Sequence, residues 1–366
     1  MSDVSGYGIV GCGWVASAHA WGVKSLADDV RLVAVADKDE TRARQFAARF
    51  EVPVVTTDYR ELLARDDIQA VSVCLPDFLH HEVTLAAAEA GKHVLCEKPL
   101  ALNREQADEM VAACERQGVR LGLVMNHRYA PDNIRTKWAV DGGALGRVLI
   151  GNVLHSSGLT GDPSGASPWR GRRGLSTGGV LSTQAIHFLD LLLWFGGPAR
   201  SVKAWTDRLA VADQDHEDTV AVALQLESGA LATLVATSGS PIMDDFTGTR
   251  IELHGTDGYL MLEGDRLRIA ELDESHHIGT PELPPVPEGA GEIIFGAGHV
   301  HEVMDFVRAV RVGAPAPVPG ADGRHLMAVI EAAYRSARED RNVPVNEPTS
   351  AYSAVGHPTS VLVSGA

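Results

Sequence analysis

The sequence predicts two domains: an α/β domain with a doubly wound parallel sheet over residues 1–125, and an α+β domain over 126–345 built on an antiparallel sheet, with an extended tail over 346–366. Three observations carry this prediction. A buried-strand pattern runs straight into a glycine turn at Tyr7-Gly8-Ile9-Val10-Gly11-Cys12-Gly13. Short, continuous apolar runs then alternate with amphipathic stretches, which suits parallel strands covered on both faces. After Met125 the alternation stops, and strand-like runs follow one another without helices between them.

In chain order, the first domain reads as strands at 7–10, 32–36, 54–56, 70–74, 94–96 and 121–124, with helices at 16–27, 41–50, 59–64, 81–90 and 104–117. Asn103 and Gln106 form a capping pair before the last helix. The second domain opens with a helix at 133–140, the Gly142-Gly143 break and a strand at 148–155. Residues 156–179, rich in Gly, Ser and Pro, read as a long loop of the kind that is either functional or disordered. A helix at 181–195 follows, then strands at 201–206, 219–226, 230–237, 250–254, 258–262 and 267–270. Glu227-Ser228-Gly229 and Thr256-Asp257-Gly258 are hairpin-like turns between them. A proline-rich connector at 281–287 leads to helices at 301–310 and 323–338.

With 366 residues, 45% of them hydrophobic, the chain is long enough for two cores. A net charge of −16 repels a phosphate backbone or an anionic membrane, so neither nucleic acid nor membrane is expected as a partner. No apolar run approaches the ~20 residues of a membrane span, and the polar start carries no secretory pattern, so the expected location is cytoplasmic. The four cysteines, Cys12, Cys74, Cys96 and Cys114, form no C-x-x-C pair and read as reduced, packed thiols.

Gly11-x-Gly13-x-x-Ala16 is the dinucleotide pattern with Ala in the third place. Gly11 allows the tight turn, Gly13 lets backbone N–H groups approach a pyrophosphate, and Ala16 lets the helix lie close to the strand. Asp37 ends the next apolar run, about 25 residues on, at the distance expected for the ribose-binding acid of such motifs. Its charge favours NAD, while the neighbouring Lys38 keeps NADP possible; Asp37 as a plain turn residue is the competing reading. Trp14 and Val15, which follow the turn, are expected at the cofactor too.

Further segments occur in a fixed order: Cys74-Leu75-Pro76-Asp77-x-x-His80, Gly91 through Glu97-Lys98-Pro99-Leu100-Ala101, Gly178-Gly179 through His187-x-x-Asp190, Gly298-His299, and Tyr334-Arg335-Ser336-Ala337. With the glycine turn, they make the chain resemble the glucose–fructose oxidoreductase / inositol dehydrogenase / rhizopine-catabolism (Gfo/Idh/MocA) family. That resemblance implies a Rossmann domain followed by a domain with an open, mostly antiparallel sheet, which often serves as an interface in a homo-oligomer (dimer or tetramer). It also implies NAD(P)-dependent oxidation or reduction of a secondary alcohol on a small sugar or cyclitol, in some subgroups at a sugar C3. One branch of the family uses NAD for transient oxidation as a glycosidase. A regulatory protein that keeps the fold without catalysis is a further alternative.

Lys98 is the candidate acid/base. A partly desolvated amine near a positive nicotinamide loses affinity for its proton and can accept one from a carbinol. Glu97 is expected on the cofactor side of the extended segment and Lys98 on the substrate side. Leu75, Pro76, His80 and Asn126 are expected near the cofactor. By resemblance, His187 hydrogen-bonds the reacting hydroxyl or its neighbour; a buried core histidine is the alternative. Asp190 shares its helical face and orients a partner. Inositol-dehydrogenase-like members carry an aspartate four residues before the histidine, where this chain has Thr183, which leaves Lys98 as the main proton carrier. Gln184, Trp169, Arg170, Arg128 and Tyr129 are candidate substrate ligands; Trp169-Arg170 suits a sugar face with hydroxyls or an anionic group, or anchors its loop. His299-x-His301 has no third ligand in register, so no metal is expected.

Overall fold

The computed structural model describes residues 5–26, 29–158, 169–211, 214–241, 248–264, 266–270, 279–290 and 296–345. The tail expected over 346–366, and residues 159–168 of the expected long loop, lie outside them.

The first domain contains β1 (Gly6–Val10), α1 (Ala16–Lys24), β2 (Arg31–Ala36), α2 (Glu40–Phe50), β3 (Val54–Thr56), α3 (Tyr59–Leu63), β4 (Ala70–Val73), α4 (Asp77–Glu89), β5 (His93–Cys96), α5 (Arg104–Gln117) and β6 (Leu121–Leu123). The strands form one sheet in the order β3-β2-β1-β4-β5-β6, and every pairing is parallel. The order reverses between β1 and β4, so the crevice at their carboxyl ends is the ligand position of such sheets. The capping pair before α5 closes in both directions: Gln106 N donates to Asn103 Oδ1 at 2.9 Å, and Leu102 N donates to Gln106 Oε1 at 3.2 Å. Such a cap stabilises the helix by about 1 kcal/mol.

A 3₁₀ turn (Asn126–Tyr129) and α6 (Pro131–Asp141) lead into the second sheet. Its elements are β7 (Val148–Ser156), α7 (Val180–Thr183), α8 (Ala185–Gly196), β8 (Ala199–Asp207), β9 (Thr219–Leu226), β10 (Leu231–Thr237), β11 (Thr249–Gly255), β12 (Tyr259–Glu263) and β13 (Arg266–Ala270). The chain returns through α9 (Gly296–Arg311), α10 (Gly320–Glu339) and β14 (Val343–Pro344). The sheet runs β13-β12-β11-β7-β10-β9-β8-β14 and is mixed: β7 and β10 are parallel, and the other pairings are antiparallel.

One face of this sheet is covered by α8 and α10; the other carries Ile150, Leu154, Trp205, Leu231 and Val235, all exposed. Leu231 lies opposite Ile150, and Val235 opposite Leu154, so the apolar surface is continuous across the parallel pair.

The division at residue 125 separates the two sheets but not the helices. Val300, Val303, Phe306 and Val307 of α9 lie in one apolar cluster with Tyr7, Ile9, Ala16 and Ala20. The C-terminal segment is therefore part of the first domain's core. The helix expected over 181–195 is also interrupted: Gln184, at φ −117° and ψ −55°, separates α7 from α8.

Candidate active site

The glycine turn has the geometry its residues require. Gly11 has φ +92°, and a Cβ there would lie 2.2 Å from the Cys74 carbonyl oxygen and 3.0 Å from Leu75 Cδ2. A Cβ on Gly13 would meet nothing within 4 Å, which leaves that side of the turn open, as a pyrophosphate cradle must be. Trp14 is 57% exposed beside it, and Val15 is half-buried before α1. Leu75 and Pro76 form the neighbouring lip, with α4 starting directly after Pro76.

Asp37 faces this turn. Its Oδ2 accepts from Cys12 N at 2.9 Å and its Oδ1 from Asp39 N at 2.9 Å. Arg42, not singled out by the sequence, brings Nη1 to 3.5 Å from Asp37 Oδ2. Lys38 is exposed next to the pair. On the far side of the crevice Asn126 is buried, and among the described residues its Oδ1 has no hydrogen-bond partner. An open glycine cradle, an acid at the end of β2 and an orphaned buried amide oxygen fit a dinucleotide.

Lys98 follows β5, and its amine donates to the Thr183 carbonyl at 2.5 Å. The helix break explains why that carbonyl is available. In an unbroken helix it would accept from His187 N; here His187 N turns to the Gln184 carbonyl at 3.3 Å. The Thr183 hydroxyl is turned away, donating to Gly179 O at 2.8 Å. Thr183 thus meets the lysine through its backbone carbonyl and not its side chain.

His187 is buried beside this amine and stacks on His127, with ring centroids 4.4 Å apart and planes 11° apart. Among the described residues its Nδ1 has no hydrogen-bond partner. Burial, and then the Lys98 charge, hold His187 well below the usual imidazole range; the same two causes bring His127 down to about 3. Both rings are neutral at physiological pH.

The glycine-rich segment is fastened on two sides. Glu217 accepts from Gly179 N and Leu181 N, each at 3.1 Å, and from the Tyr334 hydroxyl at 2.9 Å. It caps the start of α7. Thr177 N donates to Asp77 Oδ2 at 3.3 Å, and the Thr177 hydroxyl donates to Ala101 O at 3.0 Å. Burial raises the Asp77 pKa, partly countered by His80, the Thr177 N–H, Lys98 and Arg170 in that order. The Arg170 guanidinium lies over the Trp169 ring at 5.3 Å.

Three residues expected at ligands are committed to the interior. Arg128 is 2% exposed: Nε and Nη2 donate to the two Asp190 oxygens at 2.8 and 2.6 Å, and Nη1 reaches Asp322 at 3.0 Å. The Tyr129 hydroxyl donates to Asp305 at 2.9 Å. His80 is fully buried, with Nδ1 2.7 Å from the Pro99 carbonyl and Nε2 2.8 Å from the Leu75 carbonyl. Carbonyls only accept, so an imidazolium alone satisfies both. Burial opposes this charge, but Cys96, Asp77 and the Pro99 carbonyl outweigh it and push His80 up to about 10. His80 ties the Leu75 lip to the Lys98-Pro99 segment from behind rather than touching a ligand. The Lys98–Pro99 peptide itself is cis.

Glu97 also turns inward. It is 6% exposed, with Oε1 3.0 Å from His19 Nε2 and 3.5 Å from His299 Nε2. His301 points elsewhere, to the Pro284 carbonyl at 2.8 Å. Sequence reasoning missed His19, His127 and Glu217, and gave Asp77 no role beyond its place in a motif. Their partners are remote in sequence: His19 and Glu97 are 78 residues apart.

Residues 5–125 match the family model described as "Oxidoreductase family, NAD-binding Rossmann fold", and residues 137–345 match that family's "C-terminal alpha/beta domain". Levoglucosan dehydrogenase of Pseudarthrobacter phenanthrenivorans is 27% identical over 384 aligned positions, covering 92% of this chain and 97% of that protein. Myo-inositol 2-dehydrogenase of Thermotoga maritima is 28% identical, covering 93% of this chain and 98% of its own length. A solved structure of levoglucosan dehydrogenase in complex with NADH shares the fold at a TM-score of 0.82 and 24% identity, over 94% of this chain and 100% of that one. With both domains matched over most of its length, the chain belongs to the Gfo/Idh/MocA family of NAD-dependent sugar and cyclitol oxidoreductases.

Proposed function

We propose that the protein interconverts a secondary alcohol and a ketone on a sugar, sugar derivative or cyclitol, with Lys98 as acid/base and NAD as hydride carrier. The observation that supports this most directly is the position of the amine. It leaves the carboxyl edge of the parallel sheet and rests on the Thr183 carbonyl, at the helix break that also presents His187.

NAD, when bound, would supply the acceptor or donor of the hydride. Gly11, Gly13, Trp14 and Val15 would hold the diphosphate, Asp37 the adenosine ribose, and the Asn126 amide the nicotinamide end. In oxidation Lys98 accepts the hydroxyl proton; in reduction it returns it. A substrate hydroxyl replaces the Thr183 carbonyl as the partner of the amine. His187 gives or takes a hydrogen bond at that hydroxyl, but an imidazole held this far below its usual range is too weak a base to carry the proton at neutral pH. With Thr183 in place of an acid, the position four residues before His187 offers no carboxylate to share the task. Trp169, Arg170 and Gln184 bound the substrate, and the stacked indole and guanidinium suit a pyranose or cyclitol face.

NADH formation at 340 nm with a polyol panel headed by levoglucosan and myo-inositol, the substrates in the names of two relatives, tests this. Turnover of any panel member that Lys98→Met abolishes supports the reading. Turnover that survives the substitution removes it.

The exposed apolar face of the second sheet supports a homo-oligomer in which a second copy covers Leu154, Leu231 and Val235. A monomeric mass in solution would contradict this.

A further inference from the structure

Glu97 Oε1 is held by His19 Nε2 at 3.0 Å, and Glu97 Oε2 accepts from the backbone N–H of Lys98 at 3.2 Å. Behind His19 the contacts continue into the sheet. His19 Nδ1 lies 2.7 Å from Ser72 Oγ, and Ser72 Oγ lies 2.9 Å from the Tyr7 hydroxyl. His19, Ser72 and Tyr7 are fully buried. Three secondary-structure elements, β1, β4 and α1, therefore converge on one carboxylate at the end of β5.

The donors can be assigned. Burial, more than any neighbour, lowers the His19 pKa, so its ring is neutral and carries a single N–H. Burial likewise raises Tyr7, which keeps its proton. Glu97 stays ionised although burial opposes it, because hydrogen bonds from His19 and His299 outweigh that effect. A carboxylate only accepts, so His19 Nε2–H must be the donor to Glu97. Nδ1 is then an acceptor, and Ser72 O–H must donate to it. Ser72 Oγ is left to accept from Tyr7 O–H. Only one polarity satisfies every atom: Tyr7 to Ser72 to His19 to Glu97.

We propose that Tyr7, Ser72 and His19 form a one-way hydrogen-bond chain that fixes the Glu97 carboxylate on the backbone of Lys98, making His19 a positioning residue for the amine. The proposal rests on the reading of Lys98 as the acid/base. The other groups facing Glu97 are His299 and Glu302 of α9 and the Cys74 thiol at the end of β4. None of them replaces the His19 bond: Glu302 Oε1 accepts from Met125 N at 2.8 Å while its Oε2 meets no partner among the described residues, a thiol is only a weak donor, and His299 stands 3.5 Å away. The chain uses Ser72 in a strand otherwise made of Ala70, Val71 and Val73, where a hydroxyl is out of place for packing alone.

Two measurements on the full-length protein test this without any substrate. A histidine ¹³C/¹⁵N NMR titration is expected to show His19 as the neutral Nε2–H tautomer at pH 7, protonating only below its ordinary value, and to keep that tautomer in Ser72→Ala because the carboxylate alone requires it. A His19 that titrates near its ordinary value, or carries its proton on Nδ1, overturns the assignment. Trace acetylation read by mass spectrometry gives the titration midpoint of Lys98 directly. In His19→Leu the carboxylate loses its nearest donor and holds its negative charge less firmly beside the amine's backbone, so the Lys98 midpoint is expected to fall, by up to about one unit. His19→Gln, which restores an N–H at the same reach, is expected to return it to within a few tenths. A side chain needed only for packing predicts no such rescue, and an unchanged midpoint in a folded His19→Leu overturns the proposal. Where His19→Leu does not fold, His19→Gln against Ser72→Ala decides by the same midpoint. Failure of the acid/base reading shows separately, as turnover retained by Lys98→Met while the NMR result stands.

Discussion

Gly11 and Gly13 are two residues apart, yet the structure predicts opposite consequences for Gly11→Ala and Gly13→Ala. At Gly13 a new methyl meets no protein atom within 4 Å, so stability should change by less than about 0.5 kcal/mol. The methyl points where the diphosphate must approach backbone N–H groups. Losing one charge-assisted hydrogen bond there removes about 1.5–3 kcal/mol, or roughly a 10- to 150-fold rise in the NADH dissociation constant. At Gly11 the methyl would sit 2.2 Å from the Cys74 carbonyl oxygen on a backbone with φ +92°. Left-handed strain of about 1–2 kcal/mol adds to about 1–3 kcal/mol of overlap, giving a destabilisation of about 2–5 kcal/mol. Urea unfolding and NADH fluorescence titration on both variants separate the two effects. Gly13→Ala binding NADH as tightly as the parent, or Gly11→Ala unfolding at the parent's urea midpoint, would refute the assignment of these glycines.

Other consequences concern the buried charges. Arg128→Met leaves Asp190 and Asp322 without their shared cation and should cost about 3–5 kcal/mol in urea unfolding. Asp305 is fully buried, and burial raises its carboxyl to about 7. A folded-state value above the unfolded one means stability is lost as pH rises from about 4 to 7, and between pH 5 and 8 that loss is roughly 2.5 kcal/mol. Asp305→Asn should abolish this slope; an identical slope in the variant would contradict the burial of an acid there. His80, pushed up to about 10, contributes stability that is complete below its unfolded value near 6.5 and lost as pH rises through about 10. The stability gap between the parent and His80→Gln should therefore shrink between pH 7 and 10.

The first domain was legible because its signals are local. The glycine turn, the strand before it and Asp37 after it depend on backbone rules that act within a few residues. The interruption at Gln184 was not legible. Apolar periodicity runs unbroken from Val180 to Phe195, and no Gly or Pro marks a stop. The break is made by tertiary partners: Glu217 caps the start of α7, and Lys98 takes the carbonyl that the next turn would have used. The same reasoning covers Arg128 and Tyr129. Their sequence position at the domain junction suggested ligands, but whether a junction side chain faces the cleft or the core depends on carboxylates up to 194 residues away. His19 gave no signal because a histidine in an apolar helix looks like packing until Glu97 is placed beside it. The β14 strand pairs only two residues, too few for any periodicity to reveal.

The central claim is that the Lys98 amine moves the proton. Its most direct measurement is turnover of Lys98→Met with the best polyol of the panel, taken alongside its NADH dissociation constant. Turnover lower by about 10²–10⁴ with NADH affinity within about twofold of the parent is the expected result. Near-parental turnover by a folded, NADH-binding variant would contradict it.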